Sequence, residues 1–248
     1  MTWTPLTSGQ NNSDASALIS CTTGLVSVGD VINVALTFGL DSTATDGVVE
    51  DNLGNVYART SAVNDVSDVQ RIETWKTIVT HAGTPTVQAQ FNPTPGTSTG
   101  TFMSLAADPF SGSDSSSAAD GTGSAQLQDT PTTATDATTS GTWATATDGD
   151  LIYTAAMCSA TGADPGAPGT GFTLLQTVGT TVLKTAYKVQ STHSASTAGL
   201  WTAATNNAHI TAAHAITPAG SGGGGGGSST QRRTLGRGLM RGLMRGIR

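Results

Sequence analysis

Apolar and polar residues alternate along Val31-Ile-Asn-Val-Ala-Leu-Thr-Phe38, the period-two signature of a strand with one buried face. Similar short segments recur throughout the first 218 residues. The pattern predicts strands at 15–20, 31–38, 47–51, 55–60, 71–79, 86–91 and 101–107. A second series is predicted at 150–157, 172–177, 182–190, 198–203 and 209–216. Glycine-containing turns punctuate both, and no amphipathic helical stretch separates the strands. That arrangement excludes a parallel α/β sheet and predicts an all-β fold, an antiparallel β-sandwich of jelly-roll or Ig-like type. Buried positions are expected mainly at Val31, Ile32, Val34, Leu36, Ile78, Leu151, Ile152 and Val189.

The two series match in order. Val28-Gly-Asp-Val-Ile-Asn-Val-Ala-Leu parallels Asp148-Gly-Asp-Leu-Ile-Tyr-Thr-Ala-Ala, and Phe102-Met-Ser-Leu-Ala-Ala parallels His209-Ile-Thr-Ala-Ala-His. Between them, Trp75-Lys76 aligns with Tyr187-Lys188 and His81 with His193. The preserved order predicts two degenerate repeats of a small β-unit. Residues 1–112 form the first and 113–219 the second, which opens with a Ser/Thr/Asp/Gly-rich connector. Polar edge strands are expected there near 125–128 and 142–145. A Gly-rich linker, 220–230, and a basic apolar tail, 231–248, complete the chain.

Composition narrows this picture. Charged residues are 11% and aromatics 5% of the chain, with Thr, Ala, Ser and Gly dominant, so a thin sandwich core is expected. The N-terminus lacks the basic and apolar regions of a signal peptide, and no stretch approaches about 18 apolar residues. Synthesis in a cytoplasm and no membrane span are therefore expected. Cys21 and Cys158 read as inert buried thiols, not as a disulfide framework. The acidic body argues against nucleic-acid binding.

Candidate chemistry is sparse. His81, His193, His209 and His214 lack the spacing of a metal site, and the loop aspartates fit turn chemistry better than a Ca²⁺ loop. No Gly-x-Ser-x-Gly elbow occurs, and Glu50-Asp51 and Glu73 form no recognisable carboxylate pair. The expectation is no catalytic residue, no metal, no cofactor and no enzymatic activity. Tyr57, Trp75, Trp143, Tyr153, Tyr187 and Trp201 are the pool for a sugar-stacking surface, but core positions suit them better.

The tail changes the reading most. All 17 acidic residues lie in the first 230 positions, which hold five bases; the last 18 hold six bases and no acid. The body is thus at −12 and the tail at +6, separated by the run Gly222 to Gly227. Leu235, Leu239, Leu243 and Ile247 recur every fourth position, as do Arg237, Arg241 and Arg245. Met240 and Met244 add to the apolar set, and Gly238, Gly242 and Gly246 form a stripe that favours close approach of another backbone. As a helix this segment has an apolar flank and a cationic flank. Its three glycines each cost about 0.8–1 kcal/mol against alanine, so it folds only with a partner. An apolar slot with an acidic rim on a larger assembly is the expected partner. Bundling of several tails, a membrane surface and nucleic acid are the alternatives.

The segments Val31–Phe38, Asp51-Asn-Leu-Gly-Asn-Val-Tyr, Trp75-Lys-Thr, Ala106-Ala-Asp-Pro-Phe-Ser-Gly112 and Asp148-Gly-Asp-Leu-Ile-Tyr resemble β-sandwich virion proteins of tailed bacteriophages and prophages. The resemblance spans most of residues 15–218. It implies a capsid decoration, head-fibre or tail-fibre component located in the virion, and it assigns no catalytic residue. On that reading the tail residues Leu235, Arg237, Leu239, Met240, Arg241, Leu243, Met244, Arg245 and Ile247 anchor the protein to phage capsid or tail. A homo-oligomer and a host-surface glycan are further expected partners. The alternative function is a receptor- or carbohydrate-binding fibre module, and the third a polysaccharide-degrading enzyme.

Overall fold

The computed structural model describes residues 2–16, 18–39, 46–64, 70–91, 100–113, 126–129, 137–139, 142–158, 163–179, 183–204 and 209–219. Every regular element among them is a β-strand, and every strand pair is antiparallel. The first half contributes β1 (Thr4–Pro5), β2 (Gly9–Ser16), β3 (Leu18–Thr22), β4 (Val31–Gly39) and β5 (Gly47–Asp51). It continues with β6 (Ala58–Asn64), β7 (Gln70–Ile78), β8 (Thr86–Phe91) and β9 (Gly100–Ser111). The second half contributes β10 (Gln126–Asp129), β11 (Ala137–Thr139), β12 (Asp150–Cys158) and β13 (Ala167–Pro168). It ends with β14 (Thr173–Val178), β15 (Leu183–Gln190), β16 (Leu200–Thr202) and β17 (His209–Ile216). Polar strands therefore lie in the connector, but Ala137–Thr139 takes the role expected of 142–145, where only Trp143 bridges to Thr197.

The strands build two large and two small sheets. One large sheet runs β2-β9-β4-β7-β6, with β1 beside β2 on the edge of β9, and its small partner runs β3-β8-β5. The other large sheet runs β10-β17-β12-β15-β14, and its small partner runs β11-β16-β13. Strand order thus recurs between the halves. Two local features recur with it. A bulge at Thr60 interrupts β6–β7 pairing and one at Leu175 interrupts β14–β15. The turn residues Gly29 and Gly149, at φ 94° and 88°, donate to Val79 and Gln190 carbonyls at 2.9 and 2.8 Å. Such φ values favour a residue without Cβ.

The thin core expected from composition is not what forms. The four sheets stack as small, large, large, small. Ile32, Val34, Leu36 and Phe38 of β4 point toward the small sheet, joining Ile19, Val49, Val87 and Ala89. The intervening Val31 and Ala35 face the second large sheet, where Ala35 and Ala106 cluster with Tyr153, Ala155, Met157 and Ala212. β4 and β12 are consequently buried at all nine positions each, so the single buried face predicted for Val31–Phe38 is corrected to two. Strands covered on both faces can carry few charges or bulky polar groups, which accounts for the Ala/Thr-rich composition.

Register corrects a second expectation. Val31 lies opposite Ile78, and its counterpart Leu151 lies opposite Val189. On that alignment the counterpart of Trp75 is Ala186, not Tyr187. A one-residue offset exchanges faces in a strand. Trp75 accordingly packs between large and small sheets, whereas Tyr187 sits in the contact between large sheets, edge-on to Phe110 at 5.1 Å. Val189, expected to be buried, is exposed.

Candidate functional site

The anchoring residues expected from the sequence, Leu235 to Ile247, and the linker 220–230 lie outside the described residues. The described C-terminus is held where β9 ends and β12 begins. Ala219 N–H donates to the Gly112 carbonyl at 3.0 Å, and Pro218 lies beside Gly149.

Two buried polar nodes join the large sheets. Asp108 on β9 accepts hydrogen bonds from Ser8 Oγ and Gln176 Nε2 at one carboxylate oxygen, each 2.7 Å. Its other oxygen accepts from Tyr153 OH at 2.9 Å and Thr185 Oγ1 at 2.8 Å. Burial pushes the Asp108 carboxyl above its usual range, and these four donors oppose the shift. The second node is His214 on β17, with Nε2 2.8 Å from Asn33 Oδ1 and Nδ1 3.1 Å from the Thr60 hydroxyl. Since Asn33 Oδ1 can only accept, Nε2 carries the proton and the bare Nδ1 faces the Thr60 hydroxyl, which also donates to the Thr74 carbonyl at 2.9 Å. Burial, aided by the charge of Lys76, lowers His214 to about 3, so the ring is neutral. The nodes are reciprocal. Asn33 pairs with Asp108 across β4–β9, as Tyr153 pairs with His214 across β12–β17. Each node then bonds across the sheet contact to the other half's member. The bonds Asp108–Tyr153 and His214–Asn33 register one large sheet on the other.

The remaining polar clusters also serve the fold. Glu73, with no exposed side-chain surface, is bound by Arg71 at 2.7 Å, Arg59 at 3.1 Å and the Trp75 indole N–H at 3.1 Å. Asp46 clamps both arginines from outside, at 2.6 and 3.0 Å, closing the open flank between β5 and β6. In the other half Lys184 fills that flank with Asp164 at 2.5 Å and the Gly166 carbonyl at 2.8 Å. Within Asp51-Asn-Leu-Gly-Asn-Val-Tyr, Asp51 accepts from the amides of Leu53 and Asn55, from Asn55 Nδ2 and from Tyr57 OH. Asn55 Oδ1 in turn accepts from the Thr80 and His81 amides at 2.8 and 2.9 Å. That motif is a loop lock.

His81 and His193 are exposed, and His193 Nδ1 meets Asp148 at 2.7 Å; His209 and His214 are buried. Among the described residues no group of three or more His, Cys, Asp or Glu could hold a metal ion. Cys21 and Cys158 are buried free thiols, and burial pushes Cys21 up to about 12. Tyr57, Trp75, Trp143, Tyr153 and Trp201 are buried, and Tyr187 packs partly buried beside Phe110, so none of these six offers an open stacking face. Among the described residues no helix is long and apolar enough to cross a membrane.

Among the described residues, a concavity with polar lining lies where the halves differ. The β7–β8 connection spans residues 79–85 and is tied down by Asn55; its counterpart, 191–199, is two residues longer. The longer loop hangs instead on Thr145 and Asp148, through bonds to the Ser194 and His193 amides. Between it and the end of β15 opens a cleft of about 550 Å³. Lys188, Gln190 and the hydroxyls of Thr142, Ser191, Thr192 and Ser196 line it, with Ala198 and Leu200 as its apolar part. Lys188 Nζ lies 5.1 Å above the Phe172 ring, and partial burial lowers its pKa.

Sequence reading weighed His214 only as a metal ligand and set it aside, and it did not single out Asp108 or this cleft. Asp108 did carry a signal, as a carboxylate amid Ala106-Ala-Asp-Pro-Phe inside an otherwise apolar strand. No family model, curated protein or solved structure matches the chain.

Proposed function

We propose that the chain is a structural virion protein of the bacteriophage decoration or fibre type, displaying its β-body and fastened to capsid or tail by residues 231–248. One observation carries this reading. The acidic body and the basic, four-residue-periodic Leu/Arg/Gly tail are separated by a glycine run that transmits no packing. An extensively hydrogen-bonded body, whose polar clusters serve the fold, suits an exposed particle component. The recurring strand order fits an origin by duplication of one sandwich unit, with 1–112 and 113–219 as its copies.

The test is deletion of residues 231–248. The truncated protein should melt at the temperature of the full chain yet fail to co-purify with particles. Within the tail, Leu239→Asp or Leu243→Asp should impair association more than Arg241→Ala. A charge buried without a partner costs several kcal/mol, whereas one rim ion pair is worth about 1 kcal/mol or less. Normal incorporation of the truncated protein would refute the anchor. The cleft beside Lys188 favours a second reading, a receptor- or carbohydrate-binding fibre module.

A further inference from the structure

We infer that the cleft between β15 and the 191–199 loop is a binding site for an acidic sugar, a pyranose bearing a carboxylate. The inference deepens the second reading above and does not depend on the anchor.

Charge supplies the first argument. The body has five bases against 17 acids. Arg59, Arg71 and Lys184 are each held by carboxylates, and Lys76 sits opposite Asn33, close enough to His214 for its charge to be felt there. Lys188 lines the cleft and makes no ion pair with any described residue, whereas Lys184 lines its own concavity paired with Asp164. No carboxylate lines the cleft with it, and the nearby Asp148 is already engaged by the His193 amide and ring. Lys188 Nζ rests over the Phe172 ring at 5.1 Å, and in so acidic a protein a cation beside a cleft that holds no described carboxylate complements an anion from outside.

The rest of the lining specifies what carries that anion. The hydroxyls of Thr142, Ser191, Thr192 and Ser196 bond to no described group, so they are free to meet ligand hydroxyls. Gln190 Oε1 is held by Thr197 Oγ1 at 3.0 Å, which aims the amide and leaves Nε2 to donate. Leu200, exposed at the cleft, offers an apolar shelf for the C–H face of a ring. An inorganic anion has no use for that shelf, and a neutral sugar has none for the cation. At about 550 Å³ the cleft falls within the range of about 300–1,000 Å³ seen for small-ligand sites.

The full-length protein should be titrated with glucuronate, galacturonate and N-acetylneuraminate, with glucose, galactose and sodium sulfate in parallel arms. Binding is followed by amide chemical-shift changes at fixed ionic strength. At least one acidic sugar should bind saturably, with shifts confined to 188–200 and Thr142. Lys188→Gln should weaken binding about tenfold or more, the size of one charge-assisted hydrogen bond. Ser196→Trp, placed at the exposed lip, should abolish it without moving the melting temperature. Failure of all three acids to bind overturns the inference. So does equal binding of their neutral counterparts, sulfate binding alone, or indifference to both substitutions.

Discussion

Acid should weaken this fold through His214. The ring is buried between the large sheets, where its Nδ1 faces the Thr60 hydroxyl and the charge that acts on it is the positive one of Lys76. The unfolded chain takes up a proton on this side chain near the usual 6.5, whereas the folded protein does so only at about 3. Between those values the unfolded state binds more protons, so the fold loses stability as pH falls. The contribution is fully present above 6.5. Each pH unit is worth about 1.4 kcal/mol, giving a loss of about 2 kcal/mol at pH 5 and about 5 at pH 3. Those losses are large against a typical net stability of about 5–15 kcal/mol. Asp108 acts in the opposite sense. Its carboxyl is raised by burial, so the folded state holds that proton to higher pH and acidification favours the fold through it. The two effects are separated by His214→Gln, which keeps a donor for Asn33 and removes the titration. Urea unfolding of both proteins at pH 7.5, 6, 5 and 4.5 reads the difference directly. The wild type should lose about 2 kcal/mol relative to the variant between pH 7.5 and 5. Parallel stability curves would show that the ring is protonated without penalty, and would refute the buried neutral assignment.

Two further predictions concern structure alone. Asp108→Ala strands the Tyr153 and Thr185 hydroxyls in the sheet contact and should cost about 3–5 kcal/mol in urea unfolding. Asp108→Asn, whose amide can donate to those hydroxyls, should cost only about 1–2 kcal/mol; equal losses would mean that the donors find other acceptors. Gly166 and Gly54 both have positive φ, at 100° and 86°, but a Cβ at Gly166 runs into the Thr202 carbonyl while one at Gly54 meets nothing within 4 Å. Gly54→Ala should therefore cost about 1–2 kcal/mol, the left-handed penalty alone, and Gly166→Ala clearly more in the same measurement.

How far the fold was legible follows from which interactions are local. The all-β class, the antiparallel pairing and most strand positions could be read because alternation and turn chemistry act over a few neighbouring residues. Val31–Gly39 and His209–Ile216 fall where their periodicity put them. The candidate site was less legible. Leu200 looks like an ordinary core residue in sequence, and only the packing of β16 against the 191–199 loop shows it exposed at the cleft that Lys188 lines.

What the sequence determined by itself was the strand content, the turns at Gly29 and Gly149, the recurrence of motifs, and the segregation of charge between body and tail. What only the tertiary structure decided was which faces meet. Asn33 and Thr37 look like solvent positions in an alternating strand, yet both are fully buried against the second large sheet. Asn33 can be there because burying a polar group is tolerable once a partner is supplied, and its Oδ1 finds His214, 181 residues away. The same holds for Asp108, whose partners Tyr153, Gln176 and Thr185 come from the other half. Alternation records only that neighbouring side chains differ. Whether the polar set meets water or another sheet depends on contacts formed between distant parts of the chain, and no local pattern encodes them.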